Sequence, residues 1–130
     1  MITVKKKELT ASEQELMKAV WEIEEEGGVP TTRTVRKKVD EWRTERITSQ
    51  SVYVQMGNLQ QKGYIEIKKD EKEDRVYTSI VKKEDYVKRQ AKYWAGFWNK
   101  TVPGYVMMAI GKNISKEERD ELRRYLDELD

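Results

Sequence analysis

The first half of the chain carries apolar side chains at helical spacing in three separate segments. The first helix is predicted to begin at a capping box formed by Thr10 and Glu13, and the second to begin after Pro30. A third helix is predicted over residues 49–62, ending at Gly63. The side chains predicted to face the core of this trihelical unit are Leu16, Val20, Ile23, Val35, Val39, Trp42, Val52, Met56 and Leu59.

After the third helix the apolar pattern changes from a helical period to strict alternation. Residues 64–68 alternate between apolar and polar side chains, residues 70–74 are polar, and residues 75–80 alternate again. This pattern predicts a β-hairpin. Three helices followed by a hairpin is the order of elements in a winged helix-turn-helix, where the third helix can enter the major groove of DNA.

The last part of the chain is predicted to be helical again. A helix over residues 82–100 carries a stripe of apolar and aromatic side chains that is too wide for a surface helix. Pro103 and Gly104 are expected to break the chain before a short buried helix over residues 105–110. A second capping box at Ser115 then starts the last helix.

Three amphipathic segments in about 50 residues do not readily form a core of their own. We therefore expect a winged-helix domain over residues 1–81 and a helical dimerisation domain over residues 82–130, with packing onto the first domain as the alternative. The predicted fold class is mainly α with a small β-hairpin. The residues predicted at the dimer interface are Val87, Ala91, Trp94, Phe97, Trp98, Met107, Ile110, Leu122, Leu126 and Leu129.

The composition excludes most catalytic chemistry. The chain has neither cysteine nor histidine, which rules out disulfides, thiolate metal sites, cysteine nucleophiles and mechanisms that need an imidazole. We expect no enzyme activity, no metal and no cofactor. No apolar run is long enough to span a membrane, and residues 1–9 contain no hydrophobic stretch that could act as a signal sequence, so we expect a cytoplasmic protein.

The formal net charge of +2 hides an uneven distribution. Residues 31–62 hold seven basic and three acidic side chains, and residues 82–112 hold seven and two. The blocks at both ends of the chain are acidic. Such segregation favours a localised anionic partner, although an ordinary solvated surface is an alternative explanation.

A rotation of 100° per residue along the third helix places a polar face opposite the buried one. Glutamine and asparagine can pair with adenine, and Val54 could contact a thymine methyl group, so we expect a half-site that contains A·T pairs. The predicted base-reading residues are Gln50, Tyr53, Val54, Gly57, Asn58 and Gln61. The predicted contacts to the DNA backbone are Arg33, Arg36, Lys37, Arg46, Ser51, Lys62, Lys68, Lys69 and Arg75. The acidic hairpin tip, residues 70–74, should by contrast repel phosphate.

Four stretches of the chain, LTASEQELMKAVWE, SVYVQMGNLQQKGYIEIKKD, RVYTSIVKKEDY and ISKEERDELRRYLDEL, resemble the penicillinase-repressor family. This family includes the methicillin-resistance repressors and the repressors of copper-transport operons. The resemblance implies a homodimeric repressor whose winged helices bind the two halves of a palindromic operator in double-stranded DNA, while the carboxy-terminal helices form the dimer. Binding would block a promoter until an inducer or a protease releases the DNA.

The chain also departs from the family pattern. It lacks the terminal cysteine cluster of the copper-responsive members, so copper sensing is not expected. Where the lactam-responsive members are cut at an Asn-Phe pair, the chain has Met108 and Ala109. The acidic hairpin tip and the presence of Asn58 in place of an arginine leave one alternative function open, a winged-helix module that binds proteins and has lost its affinity for DNA.

Overall fold

Six helices and one antiparallel hairpin make up the computed structural model, which describes residues 8–72 and 74–129. Residues 1–7, over which the absence of a signal sequence was predicted, and Glu73 in the hairpin tip lie outside the described residues. The predicted fold class, mainly α with a small hairpin and consistent with a winged helix, is confirmed. The elements are α1 (Ala11–Glu25), α2 (Thr32–Asp40), α3 (Ser49–Gln61), β1 (Ile65–Lys69), β2 (Arg75–Ser79), α4 (Lys83–Phe97), α5 (Val102–Ile110) and α6 (Lys116–Glu128). The chain divides into two units, one ending at Tyr86 and one beginning at Val87.

The helix starts follow the capping chemistry of the sequence. At α1 the amide of Glu13 donates to the Thr10 hydroxyl at 3.1 Å, and the Glu13 carboxylate accepts from the Thr10 amide at 2.9 Å. Thr31 caps α2 with Thr34 in the reciprocal position, and Thr48 caps α3. Each cap satisfies backbone amides that have no partner inside the helix, which fixes where the three helices begin.

The core of the first unit lies between α1, α2, α3 and the hairpin. Eight of the nine predicted core side chains are buried, and Trp42 is partly buried against them. The largest fully buried side chains are Tyr64, Tyr77, Leu16, Met17, Met56, Leu59, Ile65, Val20, Val35, Val39 and Val52. A trihelical core covered by a hairpin is therefore what this part of the sequence specifies.

The stem of the hairpin is fixed to the helices at both ends of β2. The Tyr77 amide donates to the Pro30 carbonyl at 2.9 Å, and Thr31 forms a β-bridge with Val76, so the start of α2 is joined to the strand. At the other end, the Ser79 hydroxyl and the Glu24 carboxylate of α1 are 2.7 Å apart. These contacts leave the tip, where the Asp70 carboxylate accepts from amides of the turn, pointing away from the core as the exposed end of the hairpin.

The first turn of α4 belongs to the first unit. The Tyr86 ring is buried, with its centroid 5.6 Å from that of Trp21 and 5.9 Å from that of Tyr64. The Trp21 indole donates to the Val81 carbonyl at 3.0 Å. Tyr86 thus contributes to the winged-helix core although it lies beyond residue 81, where the hydrophobic pattern places the boundary.

The second unit differs from the sequence prediction in two respects. Pro103 does not break the chain before α5 but lies in its first turn, where the missing amide has no helical partner to lose. Within the single chain, α5 and α6 also bury none of their side chains, so the predicted burial of the short helix is not found there, and the chain itself does not enclose the predicted interface residues Leu122, Leu126 and Leu129. Two short helices offer too little apolar surface to each other to exclude water. Their burial against a second copy stays a prediction.

Among the described residues, no helix combines the length and the apolar character that crossing a membrane requires.

Candidate nucleic-acid interface

The starts of α2 and α3 and the stem of the hairpin surround one cleft, which we call the basic cleft. Its lining within the described part of the chain includes five basic side chains and one carboxylate, so an anionic ligand is favoured there. The lining residues are Thr31, Thr32, Arg33, Thr34, Arg36, Lys37, Ser49, Tyr53, Lys69, Asp74 and Arg75. The cleft thus brings together Arg33, Arg36, Lys37, Lys69 and Arg75 from the predicted backbone contacts, and Tyr53 from the predicted base-reading set.

Arg36 holds the turn between α2 and α3. Its Nε donates to the Ile47 carbonyl at 3.1 Å, and its Nη1 donates to the Ser49 hydroxyl at 2.8 Å. The guanidinium is therefore used to fix the start of α3, whereas Arg33 and Lys37 on the same helix are exposed. Arg36 is a positioning residue for α3 as well as a positive charge beside the cleft.

Arg75 and Tyr53 connect the hairpin to α3. The guanidinium carbon of Arg75 lies 4.4 Å from the centroid of the Tyr53 ring, a cation–π contact. A guanidinium stacked on a ring keeps its N–H groups in the plane, where they can donate to an anion. The contact therefore joins the hairpin stem to the exposed face of α3.

Tyr77 supports the wall of the cleft from the inside. Its hydroxyl is 2.7 Å from the Thr32 hydroxyl, and its side chain is fully buried. Burial raises the pKa of the Tyr77 phenol above its ordinary value, and the hydrogen bond with Thr32 only partly counters that shift. The phenol therefore stays neutral at physiological pH and holds the first turn of α2 against β2.

The exposed face of α3 lies opposite the core. Val52, Met56 and Leu59 are fully buried, while Gln50, Asn58 and Gln61 are exposed. Val54 keeps 54% of its surface exposed although it is apolar, and Tyr53 keeps 38%. A helix with this division has one face fixed by the protein and the other free to contact base edges in a major groove.

Comparison with known proteins agrees with this geometry. The profile of the penicillinase repressor family matches residues 9–128. The chain belongs to the penicillinase repressor family. Membership implies a DNA-binding transcriptional repressor. A search of curated proteins found no significant match.

Lys62, a predicted contact to the DNA backbone, forms an ion pair within the protein. Its ammonium group donates to the Glu13 carboxylate at 2.6 Å and to the Glu8 carbonyl at 2.8 Å, and Glu13 is only 3% exposed. The pair joins the end of α3 to the start of α1. A partner so distant in the sequence leaves no local signal, so the ion pair could not be predicted. It gives Lys62 a structural role, and the contact of Lys62 with DNA stays a prediction.

Three other predicted backbone contacts lie outside the lining of the basic cleft. Arg46 lies in the loop between α2 and α3, beside a shallow hollow formed with residues 42–45. The Ser51 hydroxyl accepts from the Gln55 amide group at 2.8 Å, and Lys68 forms an exposed ion pair with Glu66 at 2.9 Å. These residues are near the predicted interface in sequence, but the structure does not bring them into the cleft.

The predicted dimer residues of this repressor lie mostly on exposed surface. Trp94, Phe97 and Trp98 form a chain of edge-to-face ring contacts with Tyr93, at centroid distances of 4.9–5.4 Å. The exposed members of the predicted set are Val87, Trp94, Phe97, Trp98, Met107, Leu126 and Leu129, and the half-buried ones are Ala91, Ile110 and Leu122. Five further exposed side chains of the same kind lie in the second unit outside the predicted set: Tyr93, Val102, Val106, Met108 and Tyr125.

Proposed function

We propose that the protein is a homodimeric, sequence-specific repressor that blocks a promoter by binding a palindromic operator. The observation that carries the proposal is the position of the basic cleft beside the exposed face of α3 in a member of this family. A base-reading helix needs positive charge next to it, because phosphate contacts fix its register on the duplex. The cleft supplies that charge on one side of α3.

In the proposed complex, α3 lies in the major groove. Gln50 and Asn58 are exposed on it and carry the amide groups that pair with adenine. Arg33 contacts phosphate from the start of α2, where the positive end of the helix dipole adds to its charge, and Lys37 contacts phosphate from the last turn of the same helix. Arg36 supports this arrangement through the turn that it holds.

The hairpin contributes through its stem. Lys69 and Arg75 line the basic cleft, whereas the tip carries Asp70 and Glu71 on exposed surface. Carboxylates close to phosphates are repelled, so the proposed complex places the stem along the DNA backbone and the tip away from it.

The second unit supplies the symmetry that a palindrome requires. Its exposed apolar side chains, from Val87 to Leu129, form the kind of surface that soluble proteins cover with a partner. A second copy of the chain is the proposed partner, because one short reading helix alone would bind near the non-specific level while a linked pair gains from high effective concentration. An inducer or a protease would then release the DNA.

Selection of bound fragments from random duplex DNA, followed by titration at several salt concentrations, tests the proposal. A dimer that neutralises roughly 6–10 phosphates should lose log affinity against log salt with a slope of about −5 to −9. The variants Gln50→Ala and Asn58→Ala should weaken the selected site and leave random DNA little changed. A flat salt dependence, or no binding to any duplex at low salt, would favour the protein-interaction module instead.

A further inference from the structure

Gly57 lies in the interior of α3, on the side of the helix that faces away from the core. Two other glycines have clear structural reasons. Gly27 and Gly63 follow helix ends with φ angles of +82° and +84°, a conformation that a side chain would strain. Gly57 has no such backbone angle. Its conformation is one that any residue of a helix adopts.

Space inside the protein does not require a glycine there either. A Cβ atom placed on Gly57 would meet no other atom within 4 Å. Glycine in a helix interior is nevertheless less favourable than alanine, because it loses more backbone freedom on folding. The fold of the single chain therefore gives no reason for Gly57. Gly96, in α4, shows the same features and lies among the exposed aromatic side chains of the second unit.

Val54 stands one helical turn before Gly57. Residues three apart are neighbours on a helix surface, so the exposed Val54 side chain borders the gap left at Gly57. The exposed side of α3 thus has open space at Gly57 and an apolar side chain, Val54, next to it. In a major groove, the apolar group that can contact Val54 at such a place is the 5-methyl group of thymine.

We propose that Gly57 lets a base edge approach the backbone of α3, and that Val54 then contacts a thymine methyl group at this point of each half-site. The proposal rests on the proposed function, since it needs α3 in a major groove. It makes Gly57 and Val54 determinants of specificity that act by shape, beside the polar side chains that act by hydrogen bonding.

The substitution Gly57→Ala separates the effect of this position on helix stability from its effect on operator binding. The substitution should raise the Tm by about 4 °C, because alanine favours the helix. It should weaken binding to the selected operator roughly tenfold, because the added methyl group overfills a close contact. Random duplex DNA should bind as before. The matched control is Gln14→Ala on the exposed side of α1, which should change neither the operator affinity nor the preference for it.

Replacement of thymine by uracil, one position at a time in the selected operator, identifies the contact. Loss of one buried methyl group should lower affinity about fourfold at one position per half-site. In the Val54→Ala variant the same replacement should have no effect. Equal operator affinity for Gly57→Ala and the unchanged protein would overturn the proposal, as would a uracil penalty that persists in Val54→Ala. Failure to bind any duplex would instead overturn the proposed function itself.

Discussion

The two units of the chain differ in how far their apolar side chains are buried. In the first unit, α1, α2, α3 and the hairpin enclose a continuous core whose central residues are fully buried. Among the described residues beyond Tyr86, only Ala95 is a buried apolar side chain. Of the sixteen large apolar side chains that the described chain exposes, twelve lie beyond Tyr86. The second unit thus carries apolar side chains of the kind that form a core, but it leaves most of them exposed.

This contrast indicates that the two units obtain their stability from different sources. The first unit encloses its own apolar core, and its exposed features include the polar face of α3 and the basic cleft. The second unit would leave a large apolar patch in water, which is an aggregation hazard unless a partner covers it. Substitutions of buried residues in the first unit should therefore lower its stability, whereas substitutions in the second unit should affect dimerisation.

A charge placed in the apolar patch should have the largest effect. In Leu126→Asp we expect the dimer to dissociate, because a buried carboxylate without a partner is costly. Affinity for the two-site operator should fall by about 10²–10⁴ as the gain from effective concentration is lost. Sedimentation and operator titration measure the two losses.

Ile80→Asp is the matched control, since Ile80 in the first unit is as exposed as Leu126. This variant should remain a dimer. If Leu126→Asp also remained dimeric, or if the unchanged protein sedimented as a monomer at micromolar concentration, the contrast between the units would not reflect a dimer interface.

Replacing each of two tyrosines of α4 by alanine should locate the boundary between the units. Tyr86→Ala should lower the free energy of unfolding of the first unit by about 3 kcal/mol, because the ring is buried against Trp21 and Tyr64. Tyr93→Ala should leave that unit unchanged, because Tyr93 is 49% exposed in the second unit. Denaturant unfolding followed by Trp21 fluorescence, in variants that keep only that tryptophan, measures both. Equal effects of the two substitutions would contradict the placement of Tyr86 in the winged-helix core.

Features with a local signal were the ones that the sequence predicted. The capping boxes at Thr10 and Ser115 and the stop at Gly63 each depend on residues a few positions apart, and the structure has them all. The alternation around residues 70–74 likewise predicted the hairpin. The start of α5 was missed because Pro103 is compatible with both a break and a first helical turn.

Features that join distant parts of the chain had no such signal. Arg36 and Lys62 both belong to the basic block of residues 31–62, and their sequence neighbours do not show that one holds a turn and the other pairs with a buried carboxylate. Similarly, the exposed face of α3 follows from its period, but the cleft beside it depends on the hairpin returning to the start of α2. Side chains recruited by tertiary contacts are thus the part of the site that local patterns miss.

Loss of the Lys62 ammonium group should have an intermediate effect, on stability. In Lys62→Met we expect the free energy of unfolding to fall by about 2 kcal/mol, because Glu13 stays buried without its cation. Lys68→Met removes an ion pair whose partners are both well exposed, so its cost should be about 0–1 kcal/mol. The midpoints of denaturant unfolding of the two variants and of the unchanged protein measure these costs. A Lys62→Met protein with unchanged stability but weaker DNA binding would indicate instead that Lys62 acts mainly as a DNA contact.

The smallest expected effect distinguishes a phosphate contact from a positioning residue within one helix. Lys37 is exposed beside the basic cleft, so Lys37→Ala should reduce the slope of log affinity against log salt by about 1 per neutralised phosphate and leave the unfolding curve unchanged. Arg36→Ala should also lower stability, because the Ile47 carbonyl and the Ser49 hydroxyl lose their donor and the start of α3 loosens. Lys112→Ala, in the second unit, should change neither quantity. Lys37→Ala could instead keep the full salt slope while Lys112→Ala reduced it. The phosphate contacts would then lie in the basic block of residues 82–112, and the assignment of DNA binding to the first unit would be wrong.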